Sequence, residues 1–214
     1  MKKFILALTL TLVSGIYASA QSNDDYKKAE FFVGYSYGQA DAHFNSNNPN
    51  IYRDRTPLHG FNASAVYNLS RYFGIKGDVS GASAKANVNF LAVPVSGTST
   101  STILISSKNS LYNVLGGVQI KDNASTKRLK PFAHALVGAA FRKNTITPGI
   151  VCVATIICPS STSETGLAMA FGGGLDIRLN RRVDIRAFQI DYNPVKTGGT
   201  MDDNLRFSIG VVFR

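Results

Sequence analysis

The amino-acid sequence predicts an all-β fold, eight antiparallel strands closed into an up-and-down transmembrane barrel. Three observations carry the expectation. Apolar residues alternate with polar or small ones along successive segments of about ten residues, the usual length of a tilted crossing strand. Connections between segments alternate short and long. No stretch beyond residue 20 is apolar for long enough to form a spanning helix.

The chain begins with a basic Met1-Lys2-Lys3, an apolar run from Phe4 to Val13, and Ala18-Ser19-Ala20 before Gln21. This tripartite pattern reads as a secretory signal peptide over residues 1–20, cleaved after Ala20. A run of ten apolar residues is about half of what a membrane helix needs. No Cys follows the cleavage position, which argues against a lipid anchor. Residues 21–28 are expected to be a short extension and 29–214 the barrel domain.

The strands are expected at about 29–39, 58–69, 72–83, 109–121, 131–142, 166–179, 183–192 and 204–213. In the first, Phe31, Val33, Tyr35 and Tyr37 share one face and Glu30, Gly34 and Ser36 the other. The second sets Phe61, Ala63, Ala65 and Tyr67 against Asn62, Ser64 and Asn68. The third sets Phe73, Ile75 and Val79 against Lys76, Asp78 and Ser80, and the fourth Tyr112, Val114, Val118 and Ile120 against Asn113, Gln119 and Lys121. The fifth is weaker, with Ala133, Ala135, Val137 and Phe141 opposing His134, Gly138 and Arg142. In the sixth, Leu167, Met169, Phe171, Leu175 and Ile177 oppose Ala170, Gly172, Gly174, Asp176 and Arg178.

The seventh segment breaks its own alternation. Val183 and Ile185 share one parity while Phe188, Ile190 and Tyr192 take the other, so a β-bulge is expected near Ala187. Short turns are expected at Ser70-Arg71, Lys121 to Lys130 and Asn180-Arg181-Arg182. Long, polar or irregular loops are expected at Ala40 to Pro57, Ala84 to Lys108, Lys143 to Thr165 and Asn193 to Asp203. In barrels of this architecture short turns face the periplasm and long loops face outside.

A soluble barrel with an apolar ligand site is the competing architecture. Lone acids and bases among Gly, Ala and Ser on one face suit a narrow, ion-paired lumen. Tyr and Phe near strand ends on the other suit interfacial girdles. With no Trp, the chain lacks the Gly-x-Trp signature of lipocalins. The formal charge of +10 includes Lys2 and Lys3, leaving +8 after cleavage. Those cations are spread along strands and turns, so the balance points to a charged lumen and rims, with anionic outer-membrane lipid or lipopolysaccharide as neighbours and no nucleic acid.

From about Ala29 to Arg214 the chain resembles the small outer-membrane β-barrel family, which includes the transmembrane domain of outer membrane protein A and related porin-like proteins. The likeness is carried by Pro131 to Gly138, Phe171 to Arg178, Arg186 to Tyr192 and the final strand. Within Leu205 to Arg214, Phe207, Ile209, Val211 and Phe213 share one face, and the segment looks like the closing strand that the barrel-assembly machinery reads. The chain departs from the family in placing Arg214 after the aromatic and in lacking an appended peptidoglycan-binding domain. The resemblance implies a bacterial outer-membrane protein acting as adhesin, structural tether or narrow pore, without a cofactor.

The candidate chemistry is thin. Lys76, Asp78, Asp176, Arg178 and Arg206, with Asp184 or Arg186, are expected to form a lumen charge network, because isolated charges in a narrow interior are costly unless paired. Such a network would occlude the barrel, or gate a narrow passive pore. Catalysis is not expected: lipid-modifying barrels of the deacylase kind place Ser two positions after His, and Leu136 stands there after His134. His43 and His59, beside Asp41 and Asp54, read as solvated loop residues, and no metal site is expected. Gly172-Gly173-Gly174 lacks the spacing of a phosphate cradle and instead suits close backbone approach in a barrel wall. Cys152 and Cys158 are expected to pair in an oxidising compartment. Asn87 to Ile105 and Thr145 to Thr162 mix apolar residues with Ser and Thr, and could extend strands above the membrane as a binding surface for an extracellular partner.

Overall fold

A computed structural model describes residues 26–40, 56–92, 101–148, 160–197 and 200–214. It contains eight strands: β1 (Ala29–Ala40), β2 (Thr56–Asn68), β3 (Phe73–Ala92), β4 (Ser101–Lys121), β5 (Leu129–Pro148), β6 (Ser160–Arg178), β7 (Val183–Thr197) and β8 (Thr200–Phe213). Each pairs antiparallel with the next, and β1 pairs with β8 from Phe31 opposite Phe213 to Gln39 opposite Leu205, so the sheet closes. Closure leaves the spanning part without an edge, as a membrane requires. The signal segment, Asp41, His43, Asp54, Cys152 and Cys158 lie outside the described residues.

Side-chain placement is inverted relative to a water-soluble domain. Val33, Ile75, Val118, Val137 and Ile209 are each at least half exposed on the outer face, whereas Lys76, Asp176 and Asp184 are fully buried inside. An aqueous exterior would make both choices unfavourable, and a hydrocarbon exterior with a sealed polar lumen makes both favourable. The aromatic girdles follow the ladder. On the side away from the short turns, Tyr35, Phe61, Tyr112 and Phe141 lie in one register-linked row that passes through Gly81. A Cβ on Gly81 would stand 2.7 Å from the Tyr112 ring and 2.8 Å from that of Phe61, so glycine lets both rings lie over the backbone. Tyr67, Tyr72, Phe73 and Phe213 mark the short-turn side. From Phe73 to Gly81 the strand rises roughly 20 Å along the barrel axis at a tilt of about 40°.

The bulge in β7 falls at the expected place. Against β6, Leu175 faces Phe188 and Asp176 faces Arg186, leaving Ala187 as the extra residue. The shift returns Phe188, Ile190 and Tyr192 to the outer face and turns Gln189 and Asp191 inward, on the side that Asp184 and Arg186 already face.

Three of the expected long loops are in large part paired strand. The β3–β4 ladder continues from Ala84 opposite Asn109 to Ala92 opposite Ser101, and β5–β6 continues to Ile146 opposite Ser160. β7 and β8 remain paired up to Thr197 opposite Thr200. Their Thr, Ile and Ser content lacks the alternation that membrane burial imposes, yet β-branched residues suit an extended ladder in water as well as in lipid.

Candidate functional site

The lumen holds a continuous polar network, organised from the short-turn end upward. At that end Lys121 Nζ donates to Glu30 Oε2 at 2.8 Å and to Asp176 Oδ2 at 2.6 Å, and Arg186 Nε donates to Asp176 Oδ1 at 2.8 Å. The Arg186 guanidinium lies between two lumen aromatics, 4.3 Å from the Phe32 ring centre and 4.1 Å from that of Phe132. This sandwich sets one cation between two ring faces inside the lumen. Arg214 pairs with Asp184 Oδ2 at 2.8 Å and with Glu30 Oε1 at 3.2 Å, so the residue that departs from the family pattern neutralises acids at the lower rim.

Gln189 joins this cluster to a central one. It accepts from Arg186 NH1 at 2.7 Å and donates to Asp191 Oδ2 at 2.7 Å. Arg206 donates to Asp191 Oδ2 at 2.6 Å through NH2, to Asp78 Oδ1 at 2.9 Å and to Ser80 Oγ at 2.7 Å. Asn62 donates to both Asp78 oxygens at 2.9 Å. His134 Nε2 stands 3.0 Å from Asp191 Oδ1, with Lys76 Nζ 3.3 Å from its Nδ1. Acids and bases interlocked in this way hold one another in fixed geometry.

Above the central cluster the lumen becomes apolar. Leu58, Leu111, Leu115, Leu136, Ala140, Ala168, Ala170 and Val195 pack together there. A cavity of about 30 Å³, lined in part by Ser80, Leu111, Asn113, Asn193 and Arg206, has room for about two water molecules. Arg142 and Asp202 form an inward ion pair on the outer side.

Of the residues expected in the network, Lys76, Asp78, Asp176 and Arg206 meet inside the barrel, and Arg178 does not. Arg178 is the last residue of β6, where an inward-pointing side chain reaches the neighbouring β4–β5 turn instead of the lumen, and its NH1 donates to the Thr126 carbonyl at 3.3 Å. Arg186 occupies the inner position instead. Phe32, Phe132, Gln189 and Asp191 escaped the sequence reading. The first two carry a legible signal, an aromatic on the polar parity of its strand; the other two became inward-facing only once the bulge was placed. Gly172 and Gly174 sit where β7 approaches β6: a Cβ would lie 2.2 Å from Asp191 Oδ1 at the former and 2.1 Å from the Phe188 carbonyl at the latter. The triple glycine thus admits the network and is no ligand cradle. His59, on the outer face, meets the Tyr35 hydroxyl. Arg71 of the β2–β3 turn holds the carboxyl of Asp122 in the β4–β5 turn below its usual range by a hydrogen bond of 3.1 Å. Among the described residues no cluster of His, Cys, Asp and Glu is arranged to hold a metal.

The family model for the outer membrane protein beta-barrel domain matches residues 6–214. The chain belongs to the outer membrane protein beta-barrel family. It is an integral outer-membrane barrel, and its short turns accordingly face the periplasm. Among solved structures it is similar to Ail, the attachment invasion locus protein of Yersinia pestis, in complex with the heparin analogue sucrose octasulfate. That likeness has a TM-score of 0.53 at 17% identity and covers 87% of this chain and 98% of that one. Ail without the analogue gives 0.52 at 18% identity, with 87% and 98% covered. Neisserial surface protein A gives 0.49 at 12% identity, with 86% and 96% covered. No curated protein sequence matches. At such identities the likeness is one of fold.

Proposed function

We propose that this barrel is a closed membrane anchor for a surface-interaction module, the four-stranded sheet that β3, β4, β5 and β6 raise above the outer girdle. The observation that carries the reading is where the ladders stop. β2 pairs with β3 only as far as His59 opposite Ser83, and β7 pairs with β6 only as far as Lys196 opposite Leu167, while the inner three ladders run on. Among the described residues, Ala84–Ala92 therefore have no ladder partner on β2 and 160–166 none on β7, so both segments stand as edges of the raised sheet. Such edges accept an added strand or a polar chain. Ser161, Thr162, Ser163, Glu164 and Thr165 are exposed on both faces of β6, which suits a watery, hydrogen-bonding surface.

The interior supports an anchor over a pore. Arg186 between two rings, the interlocked Arg206 cluster and the apolar packing above them are successive obstructions in one narrow lumen. The Ail complex with a heparin analogue supplies a precedent of ligand binding by a barrel of this fold. The test displays the full-length chain on cells beside a version whose β3–β4 and β5–β6 hairpins are cut back to the girdle, and measures adhesion to heparin-coated and matrix-coated surfaces. Adhesion should fall at least ten-fold on shortening. Equal adhesion would refute the surface reading, and single-channel steps from the intact protein in a planar bilayer would restore the pore.

A further inference from the structure

Lys85, Lys108 and Lys143 gather on the outer face of three neighbouring strands. Lys85 stands directly opposite Lys108 in the β3–β4 ladder; Lys143, opposite Ser110, is the diagonal neighbour of Lys108 in the β4–β5 ladder. All three are exposed and share the parity of the lipid-facing side chains. Direct cross-strand neighbours have Cβ atoms about 5 Å apart and diagonal ones about 7 Å, and like charges so placed repel. Among the described residues no carboxylate lies on this face of β3, β4, β5 or β6. The acid in reach along the sequence, Glu164, stands opposite Arg142 and so belongs to the other face. Ser83 and Thr145 instead place hydroxyls beside the ammonium groups.

Height above the membrane decides what such a cluster meets. Lys143 follows Phe141 of the outer aromatic row by two positions, and Lys85 and Lys108 lie four positions beyond Gly81 and Tyr112 of the same row. Along tilted strands this is roughly 5–10 Å outward of the girdle, the level of headgroups instead of hydrocarbon or bulk water. Long lysine stems can also lie along the aromatic row while their charges reach outward.

We propose that Lys85, Lys108 and Lys143 form a binding site on the barrel wall for the phosphate groups of a phosphorylated glycolipid of the outer leaflet. One phosphate bridges Lys85 and Lys108, converting their repulsion into shared attraction, while Lys143 and the two hydroxyls hold the sugar-phosphate edge. The acyl chains then lie on the apolar band below, beside Val79, Val114 and Val137. Binding is lateral, at the foot of the raised sheet, where Lys85 and Lys108 pair.

The experiment titrates the full-length protein, folded in detergent micelles, with deep-rough lipopolysaccharide bearing its lipid phosphates, with the same material after phosphatase treatment, and with inorganic phosphate. Folding of every variant is verified by heat-modifiable gel migration. At about five-fold per lysine near a charged surface, K85Q/K108Q/K143Q should weaken binding of the phosphorylated lipid on the order of 100-fold. The dephosphorylated lipid should bind wild type and variant alike. Removing equal charge at the periplasmic rim, in K127Q/R181Q/R182Q, should leave affinity within about two-fold. A triple variant that binds within two-fold of wild type, a rim variant that loses as much, or inorganic phosphate that binds as tightly as the lipid would each overturn the site. Should the triple variant not fold, K108E serves: it should stabilise the lipid-free barrel by pairing with Lys85 and weaken lipid binding, and a lipid affinity unchanged in K108E overturns the proposal equally.

Discussion

Replacing Arg186 by alanine tests whether the lumen network is a structural plug. The substitution removes hydrogen bonds of 2.8 and 3.3 Å to Asp176, one of 2.7 Å to Gln189, and contact with both the Phe32 and Phe132 rings. Breaking a buried ion pair costs about 3–5 kcal/mol when the remaining charge is left alone. Asp176 is not left alone, because Lys121 still donates to it at 2.6 Å, so the electrostatic part belongs at the lower end. Two ring contacts at about 0.5–2 kcal/mol each bring the total to about 4–7 kcal/mol. Arg178→Ala removes a single exposed bond to a turn carbonyl and should cost less than about 0.5 kcal/mol. Urea unfolding in phospholipid vesicles, followed by gel migration, measures both. The double variant Arg186→Met, Asp176→Leu should recover more than half of the loss, since neither partner then remains buried without its counterpart. If Arg186→Ala and Arg178→Ala differ by less than about 1 kcal/mol, the plug is not what holds the lumen together.

Arg214→Ala should destabilise the barrel by about 2–3 kcal/mol, chiefly through Asp184, whose ion pair at 2.8 Å it removes, while Glu30 keeps Lys121; the same unfolding assay decides, and Asp184→Asn in that background should restore part of the loss. Gly174→Val should abolish the heat-modifiable shift, because its Cβ would meet the Phe188 carbonyl at 2.1 Å and the Phe132 ring at 3.0 Å; a normally migrating variant would show that β6 and β7 can separate without harm. Phe213→Ala should slow assembly by purified assembly machinery several-fold with little effect on the finished barrel, since its ring is on the outer face in the last turn of the ladder; equal assembly rates would remove Phe213 from the signal.

Alternation alone made most of the fold legible. Period two with one polar face is unambiguous where apolar residues such as Phe73, Ile75 and Val79 stand against Lys76, Asp78 and Ser80, and it even located the bulge, because a parity change between Ile185 and Phe188 has one simple repair. It gives no sign of the paired strand above the girdle, where water wets both faces and removes the pressure for alternation. It fails at Arg178, because parity says which way a side chain points and not whether anything lies opposite at that height.

The sequence by itself determined the strand count, the inverted faces and the outer-membrane setting, all consequences of local period and of a solvent that accepts apolar groups only on one side. The tertiary structure decided which charges meet. Partners such as Asp78 and Arg206, or Glu30 and Lys121, are 128 and 91 positions apart, and only closure of β1 on β8 and the stagger of eight strands bring them within hydrogen-bonding distance. The same closure turned Phe32 and Phe132 from exceptions to a pattern into the two faces that hold Arg186.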